Sequence, residues 1–200
     1  MQDYQLIEDF IERKQYMQML RNLKDQNIIK VISGVRRCGK STLLQMFAGE
    51  LLKNGIDVKQ IQFYNFEDLD TIAIGNIYQI HSHITEKLIS DKMNYIFLDE
   101  VQNVKEFQRL VDSLFIKKNC DVYITGSNAT LLSSELATLL TGRYIEISIL
   151  PLKFSEYQYY NNNFSPNLSK HESLANFLQE GGMPEYLKQK KISQKQADGF

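Results

Sequence analysis

The chain has 200 residues, of which 43% are hydrophobic and 24% are charged, and its formal net charge is −1. This composition is typical of a globular protein with enough apolar material for a core. The small charge gives no overall attraction to nucleic acid, so DNA is a partner that the charge does not support. No run approaches the roughly 18 apolar residues of a membrane helix, and residues 1–20 contain no signal-peptide core. We therefore expect a cytoplasmic protein without a membrane partner.

Strands and helices alternate along most of the chain. Residues 4–26 have apolar side chains at helical spacing and predict one or two helices. The predicted strands are 28–33, 60–66, 94–98, 121–125 and 144–149, and the predicted helices between them are 41–53, 76–90, 105–117 and 130–140. Such alternation predicts right-handed βαβ units and a parallel sheet with helices on both faces. Ligands of such a sheet bind at the carboxyl ends of the strands.

The alternation stops at Pro151. We predict one α/β domain over 1–150 and the beginning of a small helical appendage over 151–200. The appendage is predicted to contain helices at 152–160, 172–179 and 185–190, with a polar loop at 161–166. So small a region buries little surface alone, and we expect the 200 residues to be the front part of a longer protein.

The segment GVRRCGKS has the spacing G-x-x-x-x-G-K-[ST] of a phosphate-binding P-loop, between a predicted strand and an apolar helix. Its glycines allow backbone N–H groups to point at phosphate oxygens, and the helix N-terminus adds positive charge. Lys40 is expected to reach the β- and γ-phosphates, and Ser41 to ligate Mg²⁺. The predicted nucleotide-binding residues are Gly34, Val35, Arg36, Arg37, Cys38, Gly39, Lys40, Ser41 and Thr42.

Cys38 has two interpretations within this loop. Oriented N–H groups and cations could lower the pKa of its thiol and make it redox-active. The alternative is a small residue that fits the loop. With Cys120 it makes only two cysteines, far apart in sequence, which do not suggest a disulfide framework.

Two carboxylates follow the third predicted strand, where the phosphates are expected. Asp99 is predicted to hold Mg²⁺ together with Ser41. Glu100 is predicted to polarise a water molecule for in-line attack on the γ-phosphate. The alternative is a pair of acids that stabilises a helix N-terminus.

Two further residues complete the predicted catalytic set of Lys40, Glu100, Asn128 and Arg143. Asn128, after the fourth strand, is predicted to orient the attacking water, with Ser127 as the second candidate. Capping of the next helix is compatible with that role. Arg143, before the fifth strand, is either an arginine finger directed at a neighbouring subunit or a surface ion-pair residue.

Five segments together resemble a known family. GVRRCGKSTLL, YIFLDEVQNV, ITGSNA, LTGRYIEISILPLKFSEY and GGMPEY resemble segments of bacterial and archaeal AAA-type ATPases, in which the ATPase domain precedes a C-terminal, often nuclease-like domain. The resemblance extends from about residue 11 to 186. It implies a three-layer P-loop fold with a five-stranded parallel sheet of order 5-1-4-3-2, the additional-strand type. It also implies ATP and Mg²⁺ as cofactors and nucleotide roles for Lys40, Ser41, Asp99, Glu100 and Asn128. The C-terminal regions of that family are not in this sequence.

The leading hypothesis is a Mg²⁺-dependent ATPase that couples hydrolysis to a conformational change in an attached domain or partner. A nucleotide-gated switch that binds DNA or protein is the main alternative. A small-molecule P-loop kinase fits less well, because the acids follow strand three and no Arg-rich lid is evident. ATP is preferred to GTP because no Asn-Lys-x-Asp run follows, and because of the resemblance. The expected partners are ATP, a downstream domain of the same chain and further copies of the protein.

Overall fold

The computed structural model describes residues 11, 13–127, 140–164 and 168–187. Its strands are β1 (Ile29–Gly34), β2 (Ile61–Asn65), β3 (Asn94–Asp99), β4 (Cys120–Thr125) and β5 (Tyr144–Ile149). Its helices are α1 (Lys14–Leu23), α2 (Lys40–Lys53), α3 (Leu69–Ile72), α4 (Ile77–Thr85), α5 (Phe107–Phe115), α6 (Phe154–Phe164) and α7 (Lys170–Glu180), with 3-10 turns at Val58–Gln60 and Val101–Asn103. In these ranges, no helix is long and apolar enough to cross a bilayer.

The five strands form one parallel sheet in the order β2-β3-β4-β1-β5. This is the predicted order 5-1-4-3-2 read from the other edge, and the predicted α/β fold class is confirmed. Leu98 of β3 lies opposite Ile124 of β4, and Ile32 of β1 lies opposite Thr125. The carboxyl ends of β1, β3 and β4 therefore meet at one edge of the sheet.

Helices cover both faces of the sheet, which gives three layers. Successive strand residues point to opposite faces, so β1 contributes Ile29 and Val31 to one core and Ile32 to the other. The first core lies beneath α4 and α5, and the second lies beneath α1 and α2. Side chains from all of these elements are buried, which holds the strand ends in fixed positions.

Several predicted helix boundaries differ from the structure, and for α4 and α5 the reason is local. Helix α4 ends at Thr85, not at residue 90. The Asn94 side chain accepts a hydrogen bond from Ile89 N–H and donates to the carbonyls of Ile89 and Lys92, all at 2.9 Å, and this holds the connection in turns. Helix α5 begins at Phe107, not at residue 105, because Glu106 has a left-handed backbone with φ 60°.

Helix α6 continues to Phe164, through part of the predicted polar loop 161–166. Asparagine is only mildly unfavourable in a helix, and each added residue contributes one backbone hydrogen bond. The predicted helix 130–140 falls almost entirely outside the described residues.

The appendage has a small core of its own, and it is attached to the end of β5. Leu152, Tyr157, Tyr160 and Leu187 are buried together. The N–H of Leu152 donates to the carbonyl of Gly182 at 2.7 Å. A Cβ atom at Gly182 would lie 2.3 Å from the carbonyl oxygen of Leu152, so only glycine allows this close approach. The domain boundary at residue 150 remains a prediction.

Candidate functional site

The P-loop wraps from the end of β1 to the start of α2. A Cβ atom on Gly34 would lie 2.5 Å from the carbonyl oxygen of Ile149 and 2.7 Å from the Cys38 sulfur, so this turn requires glycine. Gly39 precedes α2 with φ 100°, and among the described residues no side chain caps the helix there. The first N–H groups of a helix have no intrahelical acceptor and carry the positive end of its dipole. The loop is therefore shaped to bind an anion.

Four predicted site residues from two elements lie next to one another at this helix end. The Nζ of Lys40, which is 4% exposed, lies 3.4 Å from the Gly34 carbonyl oxygen and 3.5 Å from Glu100 Oε1. The Ser41 hydroxyl donates to Asp99 Oδ1 at 3.1 Å. A cation, a hydroxyl and two carboxylates thus converge where the loop exposes its N–H groups.

Thr125 connects the two carboxylate residues, and sequence reasoning missed it. Its hydroxyl donates to Asp99 and accepts a hydrogen bond from the Glu100 N–H at 2.9 Å. Thr125 is the last residue of β4, and β4 lies beside β3. This position at a strand end was the feature of the sequence that could have indicated its contact with Asp99. The hydroxyl fixes Asp99 and the backbone of Glu100 relative to the sheet.

Asp99 has the surroundings expected of a cation ligand. It is 1% exposed, and this burial raises the pKa of its carboxyl, while the hydroxyls of Thr125 and Ser41 oppose the shift. A nearby positive ion would favour the charged carboxylate. In the part of the chain that the structure describes, no three His, Cys, Asp or Glu side chains form a metal cluster.

Glu100 is held in an unusual backbone conformation. Its φ and ψ are 55° and 49°, in the left-handed region, where residues other than glycine are uncommon. Its carboxylate accepts a hydrogen bond from the side-chain amide of Gln102, another residue that sequence reasoning missed. Both oxygens of the predicted water-activating carboxylate therefore have a partner, Lys40 on one and Gln102 on the other.

Arg13 is a third missed residue, and no pattern in the sequence distinguishes it. It is 6% exposed, and its guanidinium lies 4.8 Å from the ring centre of Tyr16. It donates to Glu156 of α6 at 3.0 Å, to the Leu150 carbonyl at 2.9 Å and, at 3.5 Å, to the carbonyl of Cys38 in the P-loop. One side chain thus joins the N-terminal region, the P-loop and the appendage.

The thiol of Cys38 is buried in the core beneath α2. Burial raises its pKa above the ordinary value, although the charges of Lys40 and Arg13 act in the opposite direction. A thiol with a raised pKa is a poor nucleophile at neutral pH. This environment favours the packing interpretation of Cys38 over the redox one.

Two catalytic candidates remain. Asn128 lies outside the described residues, and its role stays a prediction. Arg143 lies apart from the four converging side chains. Arg143 precedes β5, whose first residue pairs with Ile29 at the amino end of β1. Its guanidinium forms an ion pair with Asp112 of α5. Arg143 therefore lies at the amino ends of the strands, whereas the P-loop of its own chain lies at their carboxyl ends.

Residues 26–158, which are more than half of the chain, match the family model described as AAA domain. The chain belongs to this family of AAA-type P-loop ATPase domains. A relative from Haemophilus influenzae, described as uncharacterized, is 41% identical over 87% of this chain and 44% of its own length. Another from Methanocaldococcus jannaschii, also described as uncharacterized, is 35% identical over 80% of this chain and 36% of its own length. The chain thus spans less than half the length of these relatives.

The AAA fold is also evident from a solved structure. AMPPCP-bound DnaA from Aquifex aeolicus superposes with a TM-score of 0.65 at 16% identity, over 93% of this chain and 60% of its own. At such low identity the likeness concerns the fold, which here is the three-layer arrangement around the P-loop.

Proposed function

We propose that this AAA domain binds ATP together with Mg²⁺ and hydrolyses the bond between the β- and γ-phosphates. One observation carries the proposal: the side chains of Lys40, Ser41, Asp99 and Glu100 converge at the uncapped N-terminus of α2. These are the groups that P-loop chemistry requires, and they come from distant parts of the sequence.

The proposed reaction begins with an exchange of ion pairs. The phosphates of ATP bind the loop N–H groups, and Lys40 turns from Glu100 to the β- and γ-phosphates. Glu100 is then free to accept a proton from a water molecule. The water oxygen forms a bond to the γ-phosphorus, the bond from that phosphorus to the ADP oxygen breaks, and ADP and phosphate leave. Mg²⁺ held near Ser41 and Asp99 would neutralise charge on the phosphate oxygens.

We further propose that nucleotide turnover moves the helical appendage. Arg13 supports this coupling because it contacts both the P-loop carbonyl of Cys38 and the carboxylate of Glu156 in α6. Pro184 of the appendage also lies near the P-loop, with its Cγ 3.9 Å from where a Cβ on Gly39 would be. A change in the loop is therefore transmitted through direct contacts.

Glu100→Gln tests the hydrolysis proposal. The substitution keeps the side-chain shape but removes the proton acceptor, so turnover should fall by about 100-fold or more while ATP·Mg²⁺ affinity stays nearly unchanged. Phosphate release and calorimetry measure the two quantities. Glu106→Gln is a matched control, since Glu106 is exposed and paired with Arg109. Wild-type turnover in Glu100→Gln would contradict the proposal, and ATP binding without any turnover in the wild type would favour a nucleotide-gated switch.

A further inference from the structure

We propose that Gln102 is a positioning residue for hydrolysis, which holds the Glu100 carboxylate once Lys40 has moved to the nucleotide. This inference rests on the proposed ATPase function and assigns a role to one further residue of the same site. Its basis is the hydrogen bond from the Gln102 side-chain amide to Glu100 Oε2.

The Glu100 carboxylate is enclosed beside Lys40. Its Oε1 lies 3.5 Å from Lys40 Nζ, and its side chain is only 14% exposed. In the proposed reaction Lys40 turns from Glu100 to the phosphates, because their negative charge competes with the carboxylate for its ammonium. Among the described residues, the amide of Gln102 is then the partner that still orients Glu100.

The backbone of Gln102 is held rigidly beside Glu100. It lies in the 3-10 turn Val101–Asn103, directly after Glu100. Val101 is 0% exposed within the core, and the N–H of Asn103 donates to the Glu100 carbonyl at 3.1 Å. The backbone of Gln102 is thus fixed with respect to Glu100. The hydrogen bond to Oε2 can therefore persist when Lys40 leaves.

The two atoms at the end of the Gln102 side chain have different surroundings. Gln102 Oε1, the carbonyl oxygen of the side-chain amide, is buried and accepts no hydrogen bond from any described residue. A buried acceptor without a donor is unfavourable for folding. Only the end of the side chain that faces Glu100 makes a hydrogen bond, which indicates a role at the carboxylate more than a role in stability.

The test uses Gln102→Met, which keeps approximate length and removes both the donor and the unpartnered acceptor. Turnover should fall by about 10- to 100-fold, the range for loss of a hydrogen bond to a charged group. ATP·Mg²⁺ affinity should be unchanged, and the melting temperature should be equal or higher. Asn103→Ala is the matched control, because it removes an exposed amide from the same turn and should leave turnover unchanged.

A second background separates positioning from a general structural effect. If Gln102 acts through Glu100, adding Gln102→Met to Glu100→Gln should change the residual turnover by less than about twofold, because coupled residues are not additive. An equal loss in both backgrounds would overturn the inference. So would normal or increased turnover in Gln102→Met alone. Absence of turnover in the wild type would instead overturn the proposed function itself, and this inference with it.

Discussion

At the residue scale, two buried lysines differ in how tightly their ammonium groups are paired. Lys30 is 0% exposed, and its ammonium donates to the carboxylate of Asp121, with a further 2.8 Å bond to the Gln26 carbonyl. Lys40, beyond the carboxyl end of β1, has longer contacts, of 3.4 and 3.5 Å, among the described residues. Lys30 is tightly paired, whereas Lys40 can exchange its partners for phosphate.

Lys40→Ala should weaken ATP·Mg²⁺ binding by about 1.5–3 kcal/mol, the range for a hydrogen bond to a charged group. Calorimetry measures the affinity. Lys53→Ala is a matched control, because Lys53 is an exposed lysine at the opposite end of α2. Equal affinities of Lys40→Ala and wild type would mean that the loop is not the nucleotide site.

Asp121→Ala should destabilise the protein by about 3–5 kcal/mol, because it leaves the buried charge of Lys30 without its carboxylate partner. Urea denaturation measures the loss. Asp112→Ala is the comparison, since Asp112 also pairs with a cation but is 32% exposed, and its loss should cost about 1 kcal/mol or less. Similar unfolding midpoints for the two variants would show that burial does not control the strength of these pairs.

At the scale of elements, the functional geometry depends on connections between segments distant in sequence. Helix α2, with the P-loop, and strand β3 place the four converging side chains, and Thr125 of β4 fixes two of them. The appendage is tied to this group through Arg13, which lies just before α1. The segment that leads into the N-terminal helix therefore contacts the P-loop, even though it carries no recognisable motif.

Arg13→Gln tests this connection. In the wild type, ATP should slow hydrogen exchange of backbone amides in α6, and the substitution should remove most of that protection because the link from Cys38 to Glu156 is broken. Stability should also fall, by about 3–5 kcal/mol at most, as for a buried pair that loses one partner.

Arg21→Gln is the matched control, on the helix that Arg13 precedes. Its ion pair with Glu50 is more exposed, at 39% and 22%, so it should cost less than about 1 kcal/mol and leave the protection intact. Unaltered protection of α6 in Arg13→Gln would rule out Arg13 as the coupling residue.

At the scale of the whole molecule, Arg143 bears on assembly. Arg143 comes directly before β5, a strand of six residues. At about 3.3 Å per residue, it lies roughly 20 Å from the carboxyl ends of the strands. A catalytic role therefore requires a second copy whose ATP it approaches. In one chain it is an ion-pair residue, with Asp112 as its partner.

If Arg143 acts as a finger in a neighbouring copy, specific ATPase activity should rise with protein concentration. Arg143→Ala should abolish that rise and lower the rate by about 10³-fold or more, with little change in ATP affinity. Mixing Arg143→Ala with Glu100→Gln should restore part of the activity, because each variant supplies what the other lacks. Activity proportional to concentration at all levels, in the wild type and in Arg143→Ala alike, would leave only the ion-pair role.

The P-loop and the Asp-Glu pair were accessible from sequence because their chemistry depends on fixed local spacing. Gly34, Gly39, Lys40 and Ser41 lie within one turn, and strand-helix alternation predicts where that turn and Asp99 meet. Helix ends were less accessible, since the end of α4 is followed by turns that the Asn94 side chain holds, and the start of α5 depends on the left-handed backbone of Glu106.

The sequence by itself determined the parallel α/β fold and the anion-binding loop, because both follow from short-range periodicity and spacing. Its family resemblance supplied the strand order. Only the tertiary structure decided that Thr125 and Arg13 contact the site, because each reaches it from a segment distant in sequence. It also showed that the amide of Gln102 donates to the carboxylate of Glu100, two residues earlier. It also placed Arg143 at the opposite edge, since the direction of a parallel strand separates its first residue from its last.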